Sequence, residues 1–433
     1  MPNDPEQVVW VWFDALINYL SVLLQEEVEA RADQPDPLPW DELIQSPRFQ
    51  QFWPQAVHLI GKDILWHHTL IWWAMLIGAG IAPPKLVFAH GWWTLEGLKI
   101  SKSLGTNLDP SVVVRRLGND PLRYYLLREM TFGADGDFSI GGLVGRINTD
   151  LGKGGLGNLV SRTLNLVEKH RGAHVPSFDT GALQPAEGGL VDQTVEQIEA
   201  YQRYIESYQF HLALESIWKI VRQASQYIDD QAPWRLAKDE EKDPAAGKRL
   251  DAVLYHLCEV CRVLAEGLEP VIPETARALR QKLGQPLEPT TPLRDRVQWG
   301  RLEPGTPVEK GEHLFPPIDA ALTITASFDE SAADGPTVTV HLDGFLEGST
   351  AETLDAALKN VRAGKHPLQP HQKPGQEASV GFKPSRLLLD VSNLAYCSQA
   401  GLKPLDKARK KLDALSVSGV HEAVRDVLSR YAS

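Results

Sequence analysis

The chain has 433 residues, a length that at roughly 100 to 200 residues per domain suggests two to four domains. Hydrophobic residues make up 43% and charged ones 23%, with 12 Trp and 3 Met, a globular composition with an aromatic-rich interior that excludes wholesale disorder, collagen and coiled coil. The 44 Lys and Arg against 56 Asp and Glu give a net charge of −12, which argues against nonspecific DNA binding but not against a shaped RNA site.

The N-terminal region alternates short apolar runs with helical patterns. Val8 to Phe13 reads as a strand, followed by a helix to about Leu24; Val57 to Ile60 is a strand, a helix starts at Lys62, and Leu86 to Ala89 is a strand. Strands interleaved with helices predict a parallel α/β sheet. The first run begins almost at Met1, with no room before it for the strands a doubly wound sheet normally includes, so the region reads as the second half of a doubly wound, Rossmann-type domain. The longest apolar run, Leu65 to Pro84, contains His67, His68, three Trp and two Pro, and is expected to be a buried helix rather than a membrane span.

From about Ser139 to Leu283 the pattern is all-α, with apolar residues at three and four spacing in Leu159 to Val167, Val195 to Ile220 and Leu250 to Leu268. Gly152, Gly154 and Gly155 predict a helix broken or frayed before Asn158. Cys258 and Cys261 form a CxxC inside a helical run with no second pair nearby, which favours core packing over a zinc site. With Cys397 they are the only cysteines, too few to staple the chain, and no secretory leader is apparent; the expectation is a cytoplasmic protein with no membrane partner. Gly284 to Pro336 is rich in Pro and Gly and predicts an extended tail followed by a linker. Beyond it, strand-like Val338 to Leu342 and Leu387 to Val391 with helix-like Ala351 to Val361 and Gly401 to Leu412 predict a small α/β domain. The expected boundaries are therefore 1–138, 139–319, a linker over 320–336, and 337–433.

Lys99-Ile100-Ser101-Lys102-Ser103-Leu104-Gly105, after a strand and a turn containing Gly97, places two lysines three apart on a loop able to meet a polyphosphate. Upstream lie Val8-Val9-Trp10-Val11-Trp12-Phe13-Asp14-Ala15-Leu16-Ile17-Asn18-Tyr19 and His58-Leu59-Ile60-Gly61-Lys62-Asp63-Ile64. In this order the motifs resemble the class I methionyl-tRNA synthetases, whose signature loop has Met where this chain has Ile100. The resemblance runs from about Val8 to Asp319.

On a helix, Trp12, Ala15, Leu16 and Tyr19 share one face, and His68 and Trp72, four apart, share another. Either set is ordinary core by itself; with the resemblance, they are candidates for an apolar slot holding the methionine thioether, since aromatic rings make favourable contacts with sulfur. The resemblance also implies that Lys99 and Lys102 stabilise the leaving pyrophosphate, that Asp63 contacts the adenylate ribose, and that His90 and Ser101 belong to the ATP site. Asp63 has a plainer reading as a helix N-terminal carboxylate. Gly91 is expected to let a ligand approach the backbone. Asn158 and Arg162, four apart, and Trp234 in Gln231-Ala232-Pro233-Trp234 match the family's anticodon-reading positions, where stacking and polar edges read unpaired bases. The segment Trp299-Gly300 to Pro304-Gly305, ending in Leu314-Phe315-Pro316, resembles the family's closing tail.

The implied substrates and partners are methionine, ATP with Mg2+, and tRNA. No His-x-Gly-His element occurs in the sequence, which predicts a truncated or split enzyme whose N-terminal catalytic half comes from a separate chain; the alternative is a noncatalytic tRNA-binding or regulatory protein. The C-terminal region, with Val338 to Gly344, Leu388 to Ser392 and Cys397-Ser398-Gln399-Ala400-Gly401-Leu402, resembles a STAS domain. Gln399, between Ser398 and Ala400, stands where those domains carry a phosphorylated serine, so a phosphorylation switch is not expected.

Overall fold

Apolar residues at helical spacing form α1 (Val11–Glu29), which buries Leu16, Leu20 and Leu24. After α2 (Trp40–Leu43), Ser46 starts α3 (Pro47–Phe52) by accepting the Phe49 N–H on its hydroxyl. Strand β1 (Val57–Gly61) pairs in parallel with β2 (Leu86–His90), with Gly61 opposite His90. The crossover between them includes a tight turn at Lys62–Ile64, a π-helical turn at His67–Ile71 and α4 (Trp72–Gly78). Leu16, Leu20, Phe49, Trp53, Trp72 and Leu76 form the core of this first unit.

This computed structural model describes residues 6, 8–30, 40–100, 108–179, 183–285, 290–318, 321–332, 336–367, 378–380, 383–384, 386–398, 400–409, 414–420 and 422–428. The first unit comprises Met1–Trp92 and Phe132–Gly136, and the second Trp93–Thr131 and Asp137–Ser433.

Two expectations for the first unit need correction. Val8 to Phe13 is not a strand: the helix begins at Val11, and Val8 is 86% exposed. The period of three and four set by Trp12, Leu16, Tyr19 and Leu20 prevails over the local β propensity of the preceding valines. Leu65 to Pro84 is not a wholly buried helix either. His68, Trp72, Leu76 and Ile81 are buried, whereas Trp66 and Ile77 are each 64% exposed. Among the described residues, no helix is long and apolar enough to cross a membrane.

The second unit opens with a hairpin, β3 (Trp93–Leu95) and β4 (Leu98–Lys99), followed by α5 (Pro110–Leu117), α6 (Asn119–Arg128) and β5 (Gly136–Phe138), in sheet order β4-β3-β5. The helical region follows: α7 (Ile140–Arg146), α8 (Leu156–Arg171), α9 (Pro185–Glu206), α10 (Phe210–Gln231), α11 (Pro233–Asp239), α12 (Pro244–Leu268), α13 (Pro273–Lys282) and the short α14 (Leu293–Arg296). The chain breaks before α8 as the glycines predict. A Cβ on Gly155 would lie 1.7 Å from the Asp150 carbonyl oxygen, so only glycine allows the chain to pass there.

Helix α12 is the buried axis of the bundle. Cys258 and Cys261 are wholly buried free thiols on it, and burial raises Cys261 to about 12, as suits inert packing groups. Glu259, also wholly buried, accepts two hydrogen bonds from Arg262 at 2.9 and 2.7 Å and the N–H groups of Gly300, Arg301 and Leu302 at 2.7, 3.1 and 3.0 Å. Arg262 in turn donates to the carbonyls of Arg296 and Gln298. The tail over 296–302 is thus held onto α12 by a satisfied ion pair.

The C-terminal domain is a four-stranded sheet in order β6-β7-β8-β9, from β6 (Leu322–Asp329), β7 (Thr337–Leu346), β8 (Arg386–Cys397) and β9 (Ala414–Ser418). β6 is antiparallel to β7 and the other pairs are parallel. Helices α15 (Ala351–Arg362), α16 (Lys403–Arg409) and α17 (Glu422–Leu428) complete it. Residues 322–329, expected within a linker, form its edge strand.

Replacing Glu259 with Ala removes the carboxylate that pairs with buried Arg262 and accepts three N–H groups, and the expected cost is about 3 to 5 kcal/mol. Urea unfolding followed by helical circular dichroism should show a clearly lower midpoint. Lys248→Ala, which removes an exposed pair with Asp179, should cost under about 1 kcal/mol. Equal midpoints for the two variants would rule out this role for Glu259.

Candidate functional site

Five of the six residues expected to line the apolar slot come together in the first unit. Tyr19 from α1 meets His68 from the π-helical turn, its hydroxyl 2.9 Å from Nε2. His68 Nδ1 lies 3.0 Å from the Ile64 carbonyl, which only accepts, so Nδ1 carries a proton and points away from Tyr19. Trp72 is buried one helical turn beyond His68, with its ring centroid 6.1 Å from that of Tyr19. Trp12 stacks on His67 at 4.2 Å and meets His68 edge-on at 6.2 Å. Leu16 is buried beneath them, whereas Ala15, assigned to the same face, is exposed.

The residue missing from this expected set is His58 on β1. Its ring lies 4.3 Å from Tyr19, and its Nε2 accepts the Trp72 indole N–H at 3.1 Å. Burial, together with the neighbouring His68, lowers His58 to about 4. The imidazole is therefore neutral near pH 7, with its proton on Nδ1, and can keep that acceptor role. The result is an aromatic cluster with a phenol at its edge and two imidazoles oriented by their partners.

The Gly61-Lys62-Asp63 turn stands at the carboxyl end of β1. A Cβ on Gly61 would lie 2.6 Å from Asp63 Oδ1 and 3.9 Å from the His90 ring, so Gly61, Asp63 and His90 converge at the ends of the paired strands. Asp63 is exposed and His90 half-buried, with His90 Nδ1 2.8 Å from the Gly91 carbonyl. Lys62 turns away to Asp135, at 2.6 and 2.7 Å, and lies over the Trp92 ring at 4.7 Å. The Lys62 hydrogen bond, then the Trp92 N–H, hold Asp135 below the usual carboxylate range. The close approach expected at Gly91 is made by the chain itself: a Cβ there would lie 2.0 Å from the Ala134 carbonyl oxygen.

In the second unit, Lys99 ends β4, with Thr94 opposite it in the hairpin. Ser101 and Lys102 lie outside the described residues. Asn158 is half-buried on α8, and its backbone N–H donates to the Gly152 carbonyl. Arg162 on the same helix pairs with Asp229 of α10 at 2.5 Å. Trp234 is 46% exposed on the first turn of α11. Ala232, at φ 46°, turns the chain between α10 and α11, while Arg249 holds the Gln231 side chain.

These domains are similar to parts of the class I aminoacyl-tRNA synthetases. Residues 1–164 match the model described as tRNA synthetases class I (M), and residues 175–325 match the anticodon binding domain of methionyl tRNA ligase. The methionine–tRNA ligase of Caldanaerobacter subterraneus subsp. tengcongensis is 40% identical over 326 residues, 74% of this chain and 46% of that protein. That of Bacillus subtilis is 39% identical over 320 residues, 74% and 45%. The structure of Mycobacterium tuberculosis methionyl-tRNA synthetase bound by methionyl-adenylate matches with 37% identity and a TM-score of 0.63, covering 73% of this chain and 57% of that one. The chain belongs to the methionyl-tRNA synthetase family, and it spans about half the length of the curated relatives it matches.

The lowered His58 value sets a pH dependence. An unfolded histidine binds its proton near pH 6.5, whereas His58 in the fold waits until about 4, so the unfolded chain holds more protons in that window. Stability of the first unit should therefore fall as pH drops from about 6.5 toward 4. His58→Gln keeps an acceptor for Trp72 without titrating, and urea midpoints at pH 7 and 4.5 should show a smaller acid loss for the variant. An identical loss in both proteins would exclude His58 as a source.

Proposed function

We propose that this chain supplies the methionine-side-chain pocket, the signature-loop lysines and the anticodon-reading helices of a methionyl-tRNA synthetase. The reaction is activation of methionine with ATP to the adenylate, then transfer to tRNA. The observation that carries this reading is the Tyr19, His68, His58 and Trp72 cluster, whose oriented imidazoles and aromatic faces suit an apolar thioether. In this reading Trp12 and Leu16 complete the wall, and exposed Ala15 stands at its margin.

Asp63 and His90, converging beside Gly61, are the proposed contacts to the adenosine part of ATP. Lys99 and Lys102 are proposed to hold the pyrophosphate as charge develops on it, with Ser101 beside them. Mg2+ would arrive with the ATP phosphates; the described residues contain no cluster of three or more His, Cys, Asp or Glu to hold it alone. Free buried cysteines agree with a cytoplasmic setting.

A complete ATP site needs the His-x-Gly-His element, which the 433-residue sequence does not contain. Support for a complementary half comes from apolar exposure in the first unit: Val11, Phe13, Leu59, Trp66 and Ile77 are all more than half exposed. Among the described residues the sheet of β1 and β2 has two strands, and exposed apolar side chains of this kind mark a surface that another polypeptide covers. A His-x-Gly-His-bearing half is the proposed occupant. A polypeptide of residues 1–433 should then give no methionine-dependent exchange of pyrophosphate into ATP, and clear exchange would refute this account. Activity restored by the complementary half would separate it from the noncatalytic tRNA-binding alternative.

Trp234, Asn158 and Arg162 are the proposed readers of the anticodon. Trp234→Ala should weaken binding of the methionine anticodon stem-loop by about 1 to 3 kcal/mol, the usual worth of one stacked base. Titrations against cognate and scrambled loops check it: equal affinities, or no effect of the substitution, would mean a retained fold without recognition.

A further inference from the structure

The C-terminal domain does not keep all of its large side chains for its own core. Phe345 and Tyr396, 2% and 3% exposed, belong to the same buried cluster as Leu95, Val113, Phe138 and Ile140, while neighbouring Leu346, Leu394 and Cys397 pack within the domain itself. Register shifts between β7 and β8, one between His341 and Asp343 and another between Gly344 and Phe345, re-aim the strand ends. The domain is thereby built into the hairpin and helices of the second unit.

Three polar contacts fix where it sits. Wholly buried Glu347 accepts the Ile140 N–H at 3.0 Å and the Gly141 N–H at 2.8 Å, the open donors that begin α7. Arg116, in the last turn of α5, donates to Asp343 at 2.5 Å and to the Asn393 carbonyl at 2.7 Å. Glu96 accepts the Gly348 N–H. Glu96 is in the turn joining β3 to β4 and has φ 52°, a left-handed conformation that a non-glycine residue keeps where its surroundings hold it. Asp137 steadies the same turn by accepting from Thr94 at 2.6 Å and from the Gly97 N–H at 2.8 Å. Lys99 stands three residues after Glu96. The β3–β4 hairpin and α5 therefore both contact the C-terminal domain.

We propose that this domain is a brace for the hairpin that carries Lys99, with Glu96, Asp343 and Glu347 as positioning residues acting through it. This deepens the synthetase reading and rests on it for the role of Lys99. The domain's local chemistry agrees with such a part: Ser398 is 5% exposed, and its hydroxyl accepts the Gly401 N–H at 3.2 Å, so it is packed rather than presented. A Cβ on Gly401 would lie 2.7 Å from the Leu346 carbonyl, and Gly348, which meets Glu96, is also within reach of Ala400.

Hydrogen exchange of the full 433-residue chain tests the brace directly. Glu96→Ala should raise exchange of the amides of residues 94–99 about tenfold, because local protection reports the free energy of local opening. Glu96→Gln, which keeps an oxygen for Gly348, should restore most of the protection. Gly348→Ala, whose new Cβ would lie 2.9 Å from Glu96 Oε1, should loosen the hairpin from the other side while strands 338–342 and 387–391 stay protected. Arg116→Ala removes an exposed side chain and should raise exchange at the end of α5, giving a reading that does not depend on Gly348→Ala folding. Unchanged hairpin and α5 exchange in Glu96→Ala and Arg116→Ala would overturn the proposal, as would equal loss in Glu96→Gln and Glu96→Ala. Exchange reads the brace whether or not Lys99 meets a phosphate, so its failure is distinct from failure of the substrate reading, which pyrophosphate exchange with the complementary half decides.

Discussion

The second unit depends on one buried carboxylate. Glu259 sits on the axial helix α12 with no exposure, and it is tolerable there because Arg262 and three backbone N–H groups satisfy both its oxygens. Those N–H groups belong to the tail, so the ion pair decides where the chain goes after the helices. The tail runs on to Ile318, whose N–H and carbonyl pair with the Asn148 side chain at 2.9 and 2.8 Å. Three residues later, the Ala321 carbonyl accepts the Phe345 N–H, and the sheet of the C-terminal domain begins. In that domain Glu347 meets the start of α7 through the Ile140 and Gly141 N–H groups.

Much of the arrangement was legible in the sequence because it rests on period. The face of Trp12, Leu16 and Tyr19 and the pair His68 and Trp72 follow from helical spacing, and both reach the same cluster. His58 stands in the motif before Gly61 but is not among the residues expected to line the slot. The signal was available: in a short strand His58 and Ile60 share a face, and both are buried while Leu59 between them is exposed. Strand β6 was missed for a different reason. Leu322-Thr323-Ile324-Thr325-Ala326-Ser327-Phe328 alternates apolar and polar, but it follows a Pro-rich tract whose composition dominated the reading. The misread strand at Val8 is the converse, where a β-branched run concealed the approach to a helix.

The net charge of −12 says little about what the surface recognises, because many arginines are spent inside. Arg249, 7% exposed, bonds buried Glu187, which also accepts from Tyr227. Arg280 and Arg296 meet Glu266 and Glu269 around α12. Satisfied pairs of this kind contribute little net stability over apolar packing, yet removing one partner is expensive, so they fix register and orientation. A charge count from sequence cannot separate such internal cations from those facing a phosphate.

That internal use of charge is what shapes the corner around Trp234. Arg249 reaches from the buried Glu187 network to the Gln231 side chain, at the last residue of α10. Ala232 then takes a left-handed conformation, and Pro233 supplies the fixed φ and missing N–H suited to the first position of α11. One turn earlier on α10, Asp229 engages Arg162 from α8. The indole thus stands exposed on a corner whose backbone is set by a buried arginine on one side and a surface ion pair on the other. In the proposed anticodon reading, an aromatic ring held this way would lose little further freedom on stacking with a base, which is the advantage of a fixed corner over the same residues on a loop.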